Sequence, residues 1–182
     1  MPHQTLYRQM LGAESDKLPR TIRELHSHHG TVDYIGEAIV LAPQNILAKG
    51  IAFLLGAPKR AGIGPIRFQR VATVGEERWI RYFSTCTMTS TMKIAGGVLI
   101  ETLGMSKLHF ELVATDKMLQ MRLTRMLFCG IPCPAWLRPR IVAEETETDH
   151  RFCFNVEARV LFAGRVVGYH GFLRPMKGDS PT

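Results

Sequence analysis

RFCFNVEARVLF, residues 151–162, alternates apolar and polar side chains along its whole length. One face of this stretch is formed by Phe152, Phe154, Val156, Ala158, Val160 and Phe162. Successive side chains of a strand point to opposite faces, so a period of two indicates a strand with one face in a core and the other in water.

Similar alternating runs continue through the chain and are separated by short turn signals such as Gly96-Gly97 and Ala163-Gly164. They predict strands over about 31–42, 65–74, 77–85, 87–94, 97–103, 107–114, 117–128, 140–148, 151–162 and 165–174. Because no long helix interrupts the series, we expect an antiparallel sheet that is strongly curved or closed into a barrel of about 8–10 strands. A barrel of this strand number has an interior just wide enough for side chains or one small ligand.

Two helical segments complete the predicted α+β fold. Residues 5–29 are expected to be helical, because apolar side chains recur there at three- and four-residue spacing. Residues 45–55, NILAKGIAFLL, are apolar on most sides and span only about 16 Å as a helix, which is too short to cross a bilayer. Both helices are expected at the mouth of the barrel or inside it. The sequence predicts a single domain over residues 1–175 and a flexible tail over 176–182.

Composition indicates a moderately basic globular protein. The 182 residues are 46% hydrophobic and 21% charged, with a net charge of +7, which favours anionic partners. The basic residues are scattered and form no run with interleaved aromatic residues, so no nucleic-acid binding is predicted. The start of the chain lacks the features of a secretory signal, so we expect a cytoplasmic protein, with the alternative of peripheral contact to a membrane surface through residues 45–55.

No motif for a metal or a cofactor is found. Cys129 and Cys133 lack a second pair at zinc-finger spacing, and we interpret the cysteines as small buried hydrophobic groups. There is no glycine-rich phosphate loop, and Gly62-Ile63-Gly64-Pro65 is interpreted as a turn. We therefore predict no cofactor and no metal site.

Two charged residues break the apolar faces of the predicted strands. Arg81 lies between Trp79 and Phe83 on one face, and Glu101 lies between two leucines on another. Charges on an apolar face are costly unless they are paired. Arg81 and Glu101 can form a buried ion pair across neighbouring strands, or Arg81 can bind the carboxylate or phosphate of a ligand with its planar guanidinium. The two interpretations are compatible, and both stay open.

Two further residues are candidates for a site. His26 lies on the apolar stripe of the first helical segment and, with Glu101, is a candidate for acid–base chemistry. Tyr169 alternates with apolar residues on the last strand, where a buried phenol needs a polar partner. We therefore predict a ligand-binding set consisting of Trp79, Arg81, Phe83, Glu101 and Tyr169.

Several short segments occur in an order that resembles an uncharacterised bacterial family, domain of unknown function 4166. They are residues 18–26, 55–58, 77–83, 97–101, 130–134, 152–156 and 169–173, within a resemblance that runs from about residue 10 to 174. The resemblance implies that His26, Trp79, Arg81, Glu101 and Tyr169 match landmarks of the family, but it supplies no catalytic residues. It also implies an oxidoreductase-like partner, since in related architectures this domain follows such domains. Asn155 stands where the family pattern has an aspartate, so a metal or base role at this position is not expected.

Three functions are consistent with these features. The leading hypothesis is a binding domain for a small hydrophobic or lipid-like ligand, with Arg81 holding an acidic end and helix 45–55 acting as a lid or membrane contact. The first alternative is a cofactor-independent isomerase or cyclase that uses His26 or Glu101 as acid or base. The second is an interaction module that docks on a separate oxidoreductase-like protein through residues 45–55.

Overall fold

Ten strands close into an antiparallel barrel in the computed structural model, which describes residues 4–176. The strands are β1 (Gly30–Val40), β2 (Gly62–Thr73), β3 (Glu76–Phe83), β4 (Cys86–Ala95), β5 (Val98–Leu103), β6 (Ser106–Ala114), β7 (Met118–Phe128), β8 (Ile131–Pro132), β9 (Arg140–Thr148), β10 (Arg151–Val160) and β11 (Gly164–Pro175). The helices are α1 (Leu6–Leu11), α2 (Arg20–Ser27) and α3 (Ile46–Leu54), with a 3-10 segment (Gly12–Lys17) between α1 and α2. The predicted barrel and its α+β character are confirmed.

The barrel is closed by the pairing of β6 with β7. Around the barrel the strands follow the order β6-β5-β4-β3-β2-β1-β11-β10-β9-β7, and β8 is an extra strand attached to the end of β7. The seams differ in length: β1 and β2 share eleven paired residues, whereas β7 and β9 share three. Closure removes the unpaired edges that an open sheet would expose.

The seam between β1 and β11 requires glycine. A Cβ atom on Gly36 would lie 1.8 Å from the carbonyl oxygen of Phe172, and one on Gly171 would lie 2.0 Å from the carbonyl oxygen of Glu37. Gly36, which weakens the strand pattern in the sequence, is therefore where two backbones approach closely.

The two ends of the barrel carry different elements. The mouth end is formed by α3 and by the connections that follow β1, β3, β5, β7 and β10 (residues 41–61, 84–85, 104–105, 129–139 and 161–163). The base end is formed by α1, α2 and the connections that follow β2, β4, β6 and β9. Within residues 4–176, none of the helices is long and apolar enough to cross a membrane.

Residues 5–29 do not form one helix, contrary to the sequence-based expectation. Leu18 and Pro19 both have extended backbone, and the six residues before them form a 3-10 segment. Proline disfavours the helical conformation in the residue before it, which explains the break. The strand predicted over 151–162 ends at Val160, and Phe162 lies in a turn with a positive φ of 66° and 80% of its surface exposed.

One smaller expectation needs correction. The cysteines are not buried: Cys129 is exposed, and Cys86, Cys133 and Cys153 are partly exposed. Met176, the first residue of the predicted tail, donates a hydrogen bond from its N–H to the carbonyl oxygen of Asp33 at 2.9 Å. Residues 177–182 lie outside the described part of the chain.

Candidate functional site

The barrel interior contains a cavity of about 140 Å³ lined almost wholly by apolar side chains. Ile51 of α3 and Leu55, which directly follows that helix, contribute to its wall from the mouth end, and Leu25 of α2 contributes from the base end. Four methionines also line it: Met88, Met92, Met121 and Met126. Methionine is flexible and polarizable, so this wall can adapt to the shape of a ligand. The alternating face of β10, from Phe152 to Val160, lines the cavity as the sequence pattern predicts.

Arg81 is buried and lines this apolar cavity. Its Nη1 donates a hydrogen bond to Oγ of Ser90 at 3.2 Å, and its guanidinium carbon lies 5.2 Å from the centre of the Trp79 ring. The indole face is electron-rich and stabilises the nearby cation. The alternation on β3 therefore positions Trp79 and Arg81 as the sequence predicts.

Glu101 faces Arg81 at a distance that is longer than a hydrogen bond. Nη2 of Arg81 and Oε1 of Glu101 are 3.8 Å apart, and both side chains are about nine-tenths buried. The two residues do not lie on neighbouring strands, because β4 separates β3 from β5. Ser90 of β4 lies between them, and its small side chain lets the arginine reach across that strand. The predicted ion pair is present, but it is loose.

Tyr169 and Phe83 complete the wall near Arg81. Tyr169 lines the cavity, and its ring meets Phe83 edge to face with 5.1 Å between ring centres. Burial raises the pKa of the Tyr169 phenol, while the positive charge of Arg81 and a hydrogen bond with it act in the opposite direction. Phe83 does not line the cavity but supports Tyr169 from behind.

His26 lies deeper toward the base end, outside the cavity wall. Its ring is stacked on Tyr7, with centres 3.7 Å apart, and faces Trp79 at 5.8 Å. Nε2 of His26 is 2.6 Å from Oε2 of Glu145, a buried residue of β9 that does line the cavity. The predicted acid–base candidate is thus connected to the cavity only through a carboxylate.

A second buried ion pair closes the base of the site. Arg70 donates hydrogen bonds from Nε and Nη2 to the two oxygens of Glu77, at 2.8 and 2.7 Å. Its Nη1 donates to the carbonyl oxygen of His28, 2.7 Å away, which caps the end of α2. Trp79 Nε1 also donates to Glu77 at 3.2 Å. Burial raises the pKa of Glu77, but the hydrogen bonds and charge of Arg70 outweigh it, and the net pKa is lowered.

The fold brings together four of the predicted residues in the cavity wall: Trp79, Arg81, Glu101 and Tyr169. The sequence reading missed Arg70, Glu77 and Glu145. The same alternation rule reaches Arg70 and Glu77, because Arg70 follows Ile66 and Phe68 on one face of β2, and Glu77 precedes Trp79 on β3. Tyr7 lies in a short helix, and no periodic signal singles it out.

The acidic, histidine and cysteine side chains of residues 4–176 form no group of three or more that could hold a metal ion. Asn155, the departure from the family pattern, is exposed on the outer face of β10. It therefore lies away from the cavity.

The match to known families covers the cavity and most of the barrel. A family model described as Domain of unknown function (DUF4166) matches residues 18–173, which confirms the resemblance seen in the sequence. A search of curated proteins found no match to this chain. The barrel with its apolar cavity is compatible with ligand binding, and the family description gives no function.

Proposed function

This chain belongs to the family described as Domain of unknown function (DUF4166), and we propose that its barrel binds a small apolar ligand whose acidic end is held by Arg81. The observation that supports this most directly is a buried guanidinium in the wall of an otherwise apolar cavity. Ligand pockets typically combine such an apolar lining with a few polar groups that fix orientation.

The bonding of Arg81 leaves room for a ligand. A guanidinium has five N–H donors. Glu101 balances its charge but, at 3.8 Å, lies beyond hydrogen-bond distance, while Ser90 accepts one hydrogen bond and Tyr169 accepts another. A carboxylate in the cavity can therefore accept hydrogen bonds that the protein itself does not use. By contrast, Arg70 is already bonded to Glu77 and to backbone oxygens.

The cavity volume limits the ligand to a compact group. A dry cavity of roughly 150 Å³ accommodates benzene, and the volume here is about 140 Å³. A short acyl chain or a single ring is the expected size, and the methionine lining allows a somewhat longer chain.

The first test of this proposal compares a charged and an uncharged ligand on the unchanged protein. Hexanoic acid and hexanamide have the same length, and calorimetry at neutral pH compares their binding. A charged hydrogen bond contributes about 1.5–3 kcal/mol, so the acid should bind at least about tenfold more tightly. Equal affinity for the two compounds, or no binding of either, contradicts the proposal.

Variants then assign the preference to one residue. Arg81→Gln combined with Glu101→Gln removes both charges, so no buried charge is left unpaired, and the preference for the acid should disappear. Glu101→Gln alone is the matched control and should keep or strengthen that preference, because Arg81 remains. Preference for the acid in the double variant would show that another residue holds the carboxylate.

A second candidate function is acid–base catalysis without a cofactor. It is favoured by the contact between His26 and Glu145, because Glu145 faces the cavity while His26 holds its other side. Such a pair can pass a proton between Nε2 and Oε2 while Glu145 contacts a substrate. The test measures deuterium uptake from heavy water into an apolar keto acid. We expect uptake with the wild type and none with Glu145→Gln. Equal uptake in the variant contradicts this candidate.

A further inference from the structure

The mouth end of the barrel carries most of the exposed hydrophobic surface. Thirteen large hydrophobic side chains are exposed among the described residues, and nine of them belong to α3 or to the mouth connections. They are Ile46, Leu47, Phe53, Leu54, Met105, Ile131, Trp136, Leu161 and Phe162. We call these nine residues the mouth patch. Soluble domains seldom concentrate exposed apolar groups in this way without a binding purpose.

The mouth patch is continuous because its segments contact one another. Asn45, which caps α3, donates from Nδ2 to the carbonyl oxygen of Phe162 at 3.4 Å. The other end of α3 lies against the turn after β5, where a Cβ atom on Gly104 would meet the Leu54 carbonyl oxygen. The same turn accepts a hydrogen bond at Met105 O from the Cys129 N–H, 2.9 Å away. Thus α3 and three connections form one surface.

The mouth end has a net positive charge, whereas basic and acidic residues are balanced at the base end. The mouth connections contain four basic residues and no aspartate or glutamate; the basic residues are Lys49, Lys59, Arg60 and Arg138. The base-end segments, residues 4–29, 74–75, 96–97, 115–117 and 149–150, contain five basic and five acidic residues. Lys59 also lies over the Phe53 ring at 4.7 Å, so positive charge is mixed with the apolar groups. The mouth is therefore complementary to an anionic surface.

Phe162 has both an unfavourable backbone conformation and an unfavourably exposed aromatic ring. A bulky residue with a φ of 66° is a backbone outlier, and its ring is also 80% exposed. The neighbouring Ala163 is fully buried, and its N–H donates a hydrogen bond to the carbonyl oxygen of Val160 across the turn, 3.2 Å away. Backbone strain of this kind is concentrated at functional sites, where it holds a side chain in the position needed for binding.

We propose that the mouth patch docks on an anionic lipid bilayer, with its apolar side chains inserted between headgroups and its lysines and arginines on the lipid phosphates. Side chains that protrude from a short helix and several turn tips suit an interface that adapts to them, and basic residues without acidic neighbours suit anionic lipids. Ile51 of the same helix and Leu55 directly after it line the cavity, so docking would bring the cavity wall to the membrane surface.

Sedimentation with vesicles tests this surface in the full chain. Vesicles of phosphatidylcholine with one part in three of phosphatidylglycerol should bind the protein, and binding to pure phosphatidylcholine should be much weaker. Phe162→Asn should reduce binding about tenfold, by the loss of one inserted aromatic side chain. Asparagine tolerates a positive φ better than phenylalanine, so this variant should remain folded.

Matched controls separate the patch from general effects. Val74→Asn removes an exposed apolar side chain at the base end and should leave binding unchanged. Lys49→Glu should weaken binding to the anionic vesicles, whereas Lys117→Glu at the base end should not. Failure of wild type to bind, or equal loss in the base-end variants, overturns the proposal. A dimer in solution that Phe162→Asn dissociates would also overturn it, because the patch would then face a second copy of the chain.

This inference does not depend on the ligand proposed for the cavity. Hexanoic acid binding, measured without vesicles, should be unchanged in Phe162→Asn, since Phe162 does not line the cavity. The two proposals can therefore fail separately.

Discussion

Two buried arginines in this barrel lie in different bonding environments. Arg70 forms two short hydrogen bonds with Glu77 and one with the carbonyl oxygen of His28 at the end of α2. Its positive charge is therefore balanced by the Glu77 carboxylate. Arg81 keeps a distance of 3.8 Å from Glu101 and faces the cavity. A closed pair suits a structural role, and a loose pair beside a cavity suits binding.

The closed pair predicts a large loss of stability when it is broken. Glu77→Gln leaves the buried guanidinium of Arg70 without a countercharge, and we expect the free energy of unfolding to fall by about 3–5 kcal/mol. The neighbouring residue supplies the control, because Glu76 forms an exposed pair with Lys93 at 2.7 Å. Glu76→Gln should cost at most about 1 kcal/mol. Denaturant unfolding measures both, and similar losses would contradict the structural role of the pair.

The lowered pKa of Glu77 predicts a specific loss of stability in acid. Unfolding returns the pKa of this carboxyl to its ordinary value of 4.5. A lowered native pKa therefore contributes stability that is complete above pH 4.5 and disappears as the pH falls through the native pKa. We expect unfolding curves of wild type to show this acid-dependent loss and those of Glu77→Gln to lack it. An unchanged acid slope in the variant would show that other carboxyls are responsible.

Alternation along strands predicts which charged residues point inward, but it does not predict how they pair. Arg81 and Glu101 follow from the face they share with apolar neighbours. Their contact depends on Ser90 of the strand between them, and that depends on register, which the sequence does not specify. The position of His26 on a helix likewise carries no information about Glu145, which is 119 residues away.

At the scale of elements, α3 depends on a glycine for its position over the mouth. Gly104 has a φ of 54°, and a Cβ atom there would lie 2.3 Å from the carbonyl oxygen of Leu54. We expect Gly104→Ala to displace α3, so that amide exchange over residues 46–55 becomes faster. The stability lost should exceed the cost of a left-handed alanine, about 1 kcal/mol, by about 1–3 kcal/mol.

Gly96 provides the control for this substitution. It has a similar φ of 60°, but nothing lies within 4 Å of the position that a Cβ would take. Gly96→Ala should therefore show the backbone cost alone, with unchanged exchange in α3. Equal effects of the two substitutions would mean that the turn after β5 does not position the helix.

Most elements could be predicted from periodicity because strand alternation and turn glycines are local signals. Two predicted bounds were wrong. The helix predicted over 5–29 is broken at Leu18 and Pro19, and the strand predicted over 151–162 ends two residues early, at Val160. In both cases a backbone conformation, extended at Pro19 and left-handed at Phe162, overrides the side-chain pattern. The exposure of α3 on one side could not be predicted, because its sequence is apolar on most sides.

At the scale of the whole molecule, the barrel has one short seam. β7 and β9 pair only through residues 118–120 and 144–146, and beyond them the end of β7 pairs with β8 instead. The other seams around the barrel have at least five paired residues. Met126 and Ile141, on the two sides of this divergence, both line the cavity. A closed barrel opens most easily where the fewest hydrogen bonds must break.

The short seam therefore predicts where native-state opening begins. Amides of residues 140–143 that face β7 should exchange faster than those in the seam between β1 and β2, as measured by hydrogen exchange with residue resolution. A ligand that fills the cavity contacts both sides of the divergence and should slow exchange there more than at the turns of the base end. Hexanoic acid and hexanamide again provide the comparison, since the tighter ligand should give the larger protection at equal concentration. Opening that starts between β1 and β11, or protection that is equal for both compounds, would show that the cavity and this seam are not coupled.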